Sequence, residues 1–394
     1  MNSRIHIEVY CAQKNCGEER ICGDVFLSRR IKEEKRTIIV LSDGMGHGIK
    51  ANVLATLTAT MALNFTIEHK DSEKIAEIIM NTLPICSERK MSYATFTIVD
   101  IEDSGQVTIL EYDNPPAVIL RGNMPYDPQW NCIIMQSEKN VGKEIRTCSF
   151  YPKKEDRILL ATDGITQSGL GKENLPFGWG TENMLNYGMK LIDNNMQISA
   201  RRLANKVVNL ANKNDGFSSK DDTSCATIYF REPRKLLVCT GPPYEEVKDR
   251  ELGRIVKEFD GKKIISGATT ADIVAREMGV EIEDSFSFDD SELPPLSYMP
   301  GIDLVTEGIL TLTKVTRLLK EFSSSTPSGK GPADRILNLF RESDEIHFII
   351  GTRINIAHQD PSLPVDLEIR RTVVKRMAKL LEEKFLKEVK IDYL

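Results

Sequence analysis

The run Ser42-Asp43-Gly44-Met45-Gly46-His47-Gly48 puts a carboxylate at the end of an apolar stretch, Thr37-Ile38-Ile39-Val40-Leu41, that reads as a buried strand. Glycines beside it let backbone approach closely, a combination that suits a hard cation. Three further positions repeat the setting. Asp24 lies in Cys22-Gly23-Asp24-Val25-Phe26. Asp163 follows Arg157-Ile158-Leu159-Leu160-Ala161-Thr162 and precedes Gly164-Ile165-Thr166. The pair Asp221-Asp222 stands just before the strand-like run Thr223-Ser224-Cys225-Ala226-Thr227-Ile228-Tyr229-Phe230. Carboxylates at strand ends can converge on one edge of a sheet sandwich, where their repulsion is costly unless a cation neutralises it. An all-oxygen ligand set favours Mg²⁺ or Mn²⁺ over zinc. Taken singly, each Asp-Gly step also fits an ordinary turn.

In this order and spacing, Gly23-Asp24, Asp43-Gly44-Met45-Gly46-His47-Gly48, Thr162-Asp163-Gly164-Ile165-Thr166 and Asp221-Asp222-Thr223-Ser224 resemble the SpoIIE-like branch of the bacterial metal-dependent PPM (type 2C) protein phosphatases. Asn114-Pro115-Pro116-Ala117-Val118-Ile119-Leu120-Arg121 adds a supporting match, and the resemblance covers about residues 1–232. It implies an α-β-β-α sandwich with two Mn²⁺ or Mg²⁺ ions. Asp43 would bridge them, with the Gly44 carbonyl on one. Asp163 and Asp221 would complete the first metal site, and Asp24 would serve the second. Asp222 is the weaker ligand of its pair, because the family motif aligns its metal aspartate with the first position. The implied reaction is in-line attack of a metal-bridging hydroxide on a phosphoserine or phosphothreonine, with Asp43, Asp163 and Asp221 as the catalytic carboxylates. The eight cysteines are not needed for it.

The sequence departs from the wider family at Met45, where many members carry a proposed proton-donating histidine; methionine is usual in this branch. His47 lies two residues on, where a structural role at the helix entry is the simpler reading. No match for a phosphate-clamping arginine is evident, and Thr223 stands where the branch often has methionine.

The elements that must position these residues read as follows. Strand-like runs occur at Ile5–Tyr10, Thr37–Leu41, Tyr93–Asp100, Gln106–Tyr112, Ala117–Arg121, Cys132–Gln136, Arg157–Ala161 and Cys225–Phe230. Short turns between consecutive strands, as at Glu102-Asp103-Ser104-Gly105, predict antiparallel pairing. In the helix after the Asp43 turn, Val53, Leu54, Leu57, Met61 and Phe65 form one face; in the next, Ile75, Ile78, Ile79 and Leu83 do. Ser199 reads as the N-cap of a helix carrying Leu203, Val207 and Leu210. The helices over 49–83 follow Asp43 directly, so moving them would move a ligand. A partner could control metal occupancy that way, as is proposed for similar helices in the branch; the plainer reading is two packing helices.

A boundary falls near Arg231-Glu232-Pro233-Arg234. Residues 235–394 alternate strands and helices, which predicts a second α/β domain with a parallel sheet. Leu236–Thr240, Lys263–Ser266 and Ile346–Ile350 read as strands. Ile302–Phe322 reads as one long helix, Pro332 opens another, and Val365–Phe385 is amphipathic. Ser323 to Gly331 is a loop by composition. Gly267-Ala268-Thr269-Thr270 is a strand-to-helix turn that could hold an anion, with Thr306-Glu307-Gly308 and Gly351-Thr352-Arg353 as neighbours. The motif is short and nonstandard, and an ordinary capped helix with polar loops is the simpler reading. His347 and His358 lack the paired spacing of metal ligands.

Net charge is −6, against a nucleic-acid footprint. No apolar run approaches a membrane span or a signal peptide, so a cytoplasmic protein is expected. Cys11, Cys16 and Cys22 cluster without a C-x-x-C pair and read as reduced thiols rather than a metal site. Cys86, Cys132, Cys148, Cys225 and Cys239 read as small buried hydrophobes.

The leading expectation is a serine/threonine phosphatase acting on a phosphorylated regulatory protein. By the resemblance, an anti-sigma-factor antagonist is one such substrate. The C-terminal domain would regulate it, with a small-molecule effector as one possibility and a homodimer through the 49–83 helices as another. Two other readings stay open: a phosphatase-fold scaffold whose output is partner binding, and a separate activity in the C-terminal domain.

Overall fold

The structure is a computed structural model describing residues 5–17, 19–31, 33–46, 48–68, 71–82, 94–138, 140–284, 296–322, 329–353, 365–385 and 387–394. The chain divides into two compact units, Met1–Glu232 and Pro233–Leu394.

The strands of the first unit are β1 (His6–Lys14), β2 (Val25–Ile31), β3 (Arg36–Ser42), β4 (Phe96–Ile101), β5 (Val107–Tyr112) and β6 (Val118–Arg121). They continue with β7 (Met124–Pro125), β8 (Asn131–Ile134), β9 (Glu144–Phe150), β10 (Asp156–Ala161) and β11 (Thr223–Arg231). Its helices are α1 (Gly48–Glu68), α2 (Ser72–Thr82), α3 (Asp163–Thr166), α4 (Gly180–Asn194) and α5 (Ala200–Asn214). Two antiparallel sheets form, in the orders β1-β11-β10-β6-β7 and β2-β3-β4-β5-β9-β8.

Side-chain alternation makes the layers. On β3, Ile39 and Leu41 face the other sheet, meeting Ile158, Leu160, Ala226 and Ile228. Ile38 and Val40 point the opposite way, onto α1 and α2. Leu120 and Leu159 do the same beneath α4 and α5. The result is the expected α-β-β-α sandwich. The Ser199 hydroxyl caps α5, accepting from Arg202 N–H at 3.2 Å.

The face of α1 matches expectation at Met61 and Phe65, which pack on the core, and differs from it in the first half of the helix. Its buried residues include Ala51, Ala55, Ala59 and Ala62, while Ile49, Val53 and Leu57 are exposed. Apolar side chains stand on both sides of this helix, so periodicity alone could not select a face. Small residues win because they bring the helix axis close to the sheet. Leu83, Tyr93 and Cys86 lie outside the described residues.

In the second unit, β12 (Lys235–Thr240), β13 (Lys262–Ser266), β14 (Glu283–Asp284), β15 (Ser297–Tyr298), β16 (Leu304–Thr306), β17 (Glu345–Ile350) and β18 (Glu388–Tyr393) form one sheet. Its order is β14-β15-β16-β13-β12-β17-β18. The five strands from β16 to β18 are parallel, and β14 and β15 add an antiparallel edge. Helices α6 (Asp249–Glu258) and α7 (Ala268–Met278) cover one face. Helices α8 (Ile309–Glu321), α9 (Pro332–Glu342) and α10 (Val365–Glu383) cover the other. The expected single helix over Ile302–Phe322 is instead β16 followed by α8. Leu304-Val305-Thr306 pair with β13, and the Glu307-Gly308 turn separates strand from helix. Among the described residues, no helix is long and apolar enough to cross a membrane.

One buried ion pair fixes α1. Arg36, 1% exposed at the start of β3, donates through Nε and Nη2 to the Asp100 carboxylate at 2.8 and 2.6 Å. The same guanidinium donates to the last carbonyls of α1, Thr66 at 2.6 Å and Ile67 at 3.3 Å, a favourable place for a cation. Replacing Arg36 by Met should destabilise the first unit by about 3–5 kcal/mol, because it strands a buried carboxylate. Both tryptophans, Trp130 and Trp179, lie in this unit, so urea unfolding followed by tryptophan fluorescence reads it selectively. A loss below about 1 kcal/mol would mean that the pair behaves like a surface bridge.

Candidate metal centre

Asp43 directly follows β3. Its carbonyl accepts Thr95 N–H at 2.9 Å, and Gly44 forms an isolated bridge with Ala94. A Cβ on Gly44 would fall 2.1 Å from the Ala51 carbonyl oxygen in α1, so only glycine lets the Asp43 turn seat against that helix. Asp163 opens α3, and its Oδ2 accepts from Gln167 Nε2 at 2.8 Å. A Cβ on Gly164 would fall 2.1 Å from the carbonyl of Asp222. That contact brings the Asp163 turn onto the segment carrying Asp221 and Asp222.

The two neighbouring aspartates differ. Asp222 is 2% exposed, and its two oxygens accept backbone N–H groups of Cys16 (2.9 Å) and Gly23 (2.8 Å). It ties the loop before Asp24 to the start of β11. Asp221 is half-buried and accepts Asp222 N–H at 2.9 Å.

Asp24 is 3% exposed. Its Oδ2 accepts from the hydroxyls of Thr162 (2.9 Å) and Ser224 (2.6 Å), while its Oδ1 is buried without a hydrogen-bond partner. Burial, with the charges of Asp222 and Asp221, pushes its pKa up to about 7, against the pull of those hydroxyls. Asp43 rises to about 10, first through burial, then through the charges of Asp24, Asp163 and Asp221 and a hydrogen bond with Asp163. The carboxylates therefore lie within electrostatic reach of one another. Among the described residues, no three acidic, histidine or cysteine side chains are drawn tightly enough to close on one ion as they stand. A divalent cation would neutralise the repulsion among the carboxylates. The orphaned Asp24 oxygen, the all-oxygen donors and the excess negative charge fit a hard cation. His47 lies outside the described residues.

A family model for stage II sporulation protein E (SpoIIE) matches residues 33–231. The chain belongs to the SpoIIE family. The matched span holds Asp43, Asp163, Asp221 and Asp222 but starts after Asp24, whose place in the site rests on its geometry. The chain is similar to several solved structures. The PP2C phosphatase domain of SpoIIE from Bacillus subtilis, with a fragment of its regulatory domain, shares 16% identity at a TM-score of 0.46. That similarity covers 58% of this chain and 63% of that one, so this chain spans less than two thirds of it. The RsbU and RsbW domains of a Mycobacterium tuberculosis protein share 15% identity, with a TM-score of 0.45 and 65% and 68% coverage. RsbX in complex with magnesium shares 18%, with a TM-score of 0.40 and 58% and 99% coverage. No curated protein matches the chain.

Outside the SpoIIE-family unit, the turns singled out in the sequence sit at the carboxyl ends of parallel strands. Gly267 N–H donates to the Thr306 carbonyl at 2.8 Å, which puts the starts of α7 and α8 side by side. Gly351-Thr352-Arg353 joins the end of β12 instead: Gly351 N–H meets the Thr240 carbonyl at 2.9 Å, and Arg353 N–H meets Pro242 at 3.1 Å. His347 Nε2 lies 2.8 Å from Asp392 Oδ2, and His358 is outside the described residues. Cys11, Cys16 and Cys22 are free thiols, and burial pushes Cys11 and Cys22 up. Cys148, Cys225 and Cys239 are buried as expected, but Cys132 is exposed, because its short strand β8 is the sheet edge.

The raised carboxylates give the metal-free protein a definite pH response. A folded-state pKa above the unfolded value means that the folded state holds more protons, so stability is lost as pH rises. For Asp24 the loss runs from near pH 4 to about 7, and for Asp43 it continues towards about 10. In EDTA the melting temperature should therefore fall between pH 5 and 8. Buried Glu111, also raised to about 7, adds a loss of the same sign. Asp24→Asn, which removes one titrating group, should flatten the slope between pH 4 and 7. A melting temperature that stays level or climbs over this range in wild type would contradict the electrostatic description.

Proposed function

We propose that the N-terminal unit is a Mn²⁺- or Mg²⁺-dependent phosphoprotein phosphatase acting on phosphoserine or phosphothreonine. The observation that carries this reading is the convergence of Asp24, Asp43, Asp163 and Asp221 on one end of the sandwich, with a buried Asp24 oxygen left without a partner. Asp43 and the Gly44 carbonyl, with Asp163 and Asp221, would hold one ion; Asp43 and Asp24 would hold a second. When bound, such ions lower the pKa of water and neutralise phosphoryl charge.

The chain's own residues supply the arrangement. Gly44 against Ala51 and Gly164 against Asp222 set the Asp43 and Asp163 turns at fixed depth. Gln167 restrains Asp163 Oδ2. Asp222 serves as the strut between the Asp24 loop and β11 and is the least suited of the acids to ligate, since both its oxygens are already engaged. Membership of the SpoIIE family supports a phosphorylated regulatory protein as the substrate, with an anti-sigma-factor antagonist as the specific candidate. The same proposal gives the C-terminal unit a regulatory, effector-sensing role. Its support is the row of polar turns at the carboxyl ends of the parallel strands, the usual side for ligands in such sheets.

Hydrolysis of p-nitrophenyl phosphate under a Mn²⁺ titration tests the reading. Turnover should depend on metal and fall at least about 100-fold in Asp43→Asn and in Asp163→Asn, the scale of losing a main electrostatic contributor. A folded wild-type protein inert at every Mn²⁺ and Mg²⁺ concentration, on this ester and on phosphoserine peptides, would remove the enzymatic reading in favour of a partner-binding scaffold.

A further inference from the structure

Thr162 occupies the N-cap position of α3, yet its side chain makes no capping bond. A threonine there ordinarily accepts an N–H from its own helix. Here its Oγ1 accepts Ser224 N–H from β11 at 3.0 Å and donates to Asp24 Oδ2 at 2.9 Å. Ser224 repeats the pattern one strand over. Its Oγ accepts from Gln13 Nε2 at 3.1 Å and donates to Asp24 Oδ2 at 2.6 Å. Gln13 is the register partner of Ser224 on β1, and its amide also donates to the Asp24 carbonyl at 3.2 Å. That bond to a carbonyl, which only accepts, fixes which end of the amide is the NH₂. Gln13 on β1, Ser224 on β11 and Thr162 just past the end of β10 thus stand in one row beside Asp24, with Thr162 and Ser224 fully buried.

The row fixes the direction of every proton. A hydroxyl has one proton. Because each hydroxyl here accepts from an obligate N–H donor, that proton is free to go to Asp24. Both therefore point at the same carboxylate oxygen. Oδ2 is saturated by two donors, and Oδ1, on the same buried carboxyl, has none.

From this geometry we infer that Thr162 and Ser224, oriented by Gln13, are positioning residues that present Asp24 to a divalent cation through Oδ1 alone. The inference rests on the metal-centre reading above. It adds that Asp24 binds with one oxygen, and that the polarity of a hydrogen-bond row across β10, β11 and β1 decides which one. It also gives Ser224, Thr162 and Gln13 a role in metal affinity though none is a ligand.

The test is Mn²⁺ binding to the full chain, followed by electron paramagnetic resonance and calorimetry without substrate. The proteins are wild type, Thr162→Val, Ser224→Ala, Ser224→Thr and Gln13→Met, with melting temperatures in EDTA measured alongside. Thr162→Val and Ser224→Ala should each weaken one Mn²⁺ by about 10- to 100-fold, the usual cost of losing a residue that orients a ligand, and leave the other ion in place. Ser224→Thr, which keeps the hydroxyl, should bind as wild type does. Gln13→Met, which frees the Ser224 proton while retaining it, should weaken binding by less than Ser224→Ala. If Thr162→Val and Ser224→Ala lower the EDTA melting temperature but bind Mn²⁺ like wild type, the row is structural only and the inference is overturned. If one of them does not fold, the other and Gln13→Met still decide. A wild type that binds no Mn²⁺ would instead overturn the metal-centre reading itself.

Discussion

Four carboxylates at one end of a sandwich repel one another, and the N-terminal unit is arranged to hold them there. Burial, and after it repulsion, raises Asp43 and Asp24 well above the ordinary carboxylate range. Nothing in the local sequence of any one strand would keep such groups together. What keeps them is the sandwich: β3, β10 and β11 are buried along their lengths, so their ends cannot drift without exposing core. Hydrophobic burial thus opposes charge repulsion, each acting on the same strands at different points.

The supporting contacts divide the work. Gly44 and Gly164 set depth, because backbone stands against backbone where a side chain would not fit. Asp222 sets spacing, clasping the Cys16 and Gly23 amides. Thr162, Ser224 and Gln13 set direction. An aspartate in this site can therefore act as ligand, as strut or as neither, and its role is read from what its oxygens already touch.

That distinction marks how far the sequence was legible. Asp24, Asp43, Asp163 and the Asp221-Asp222 pair stood out because each ends or precedes a strand-like run beside a small residue, and their convergence follows from the antiparallel sandwich. The strut role of Asp222 did not, since it depends on amides about 200 residues away. The row of Gln13, Ser224 and Thr162 was hidden for the same reason, although Thr162 and Ser224 lie inside the motifs themselves. Strands β2 and β9 were missed because arginines and polar residues interrupt their apolar pattern. The Ile302–Phe322 stretch misled because Leu304-Val305-Thr306 is too short to show a period of two, and the helix after it lent it its own. On α1, Val53 and Leu57 read as core because the helix carries large apolar residues on its exposed side as well as small ones on its buried side.

Helix α1 has a mechanical consequence. Arg36 grips its last turn, while Ala51 in its first turn bears on Gly44. Ala51 and Thr66 stand 15 residues apart along the helix, so the two points lie roughly 23 Å apart at the standard rise. A bar pinned at one end amplifies small rotations at the other: a tilt of about 2.5° about the Arg36 end sweeps the first turn through roughly 1 Å, a displacement of the size that disables a catalytic arrangement. Ile49, Val53 and Leu57, one turn apart on the exposed side, form the flank at the moving end. The stiffness of the Asp43 turn is therefore partly stored at the opposite end of the helix, where Arg36 meets Asp100.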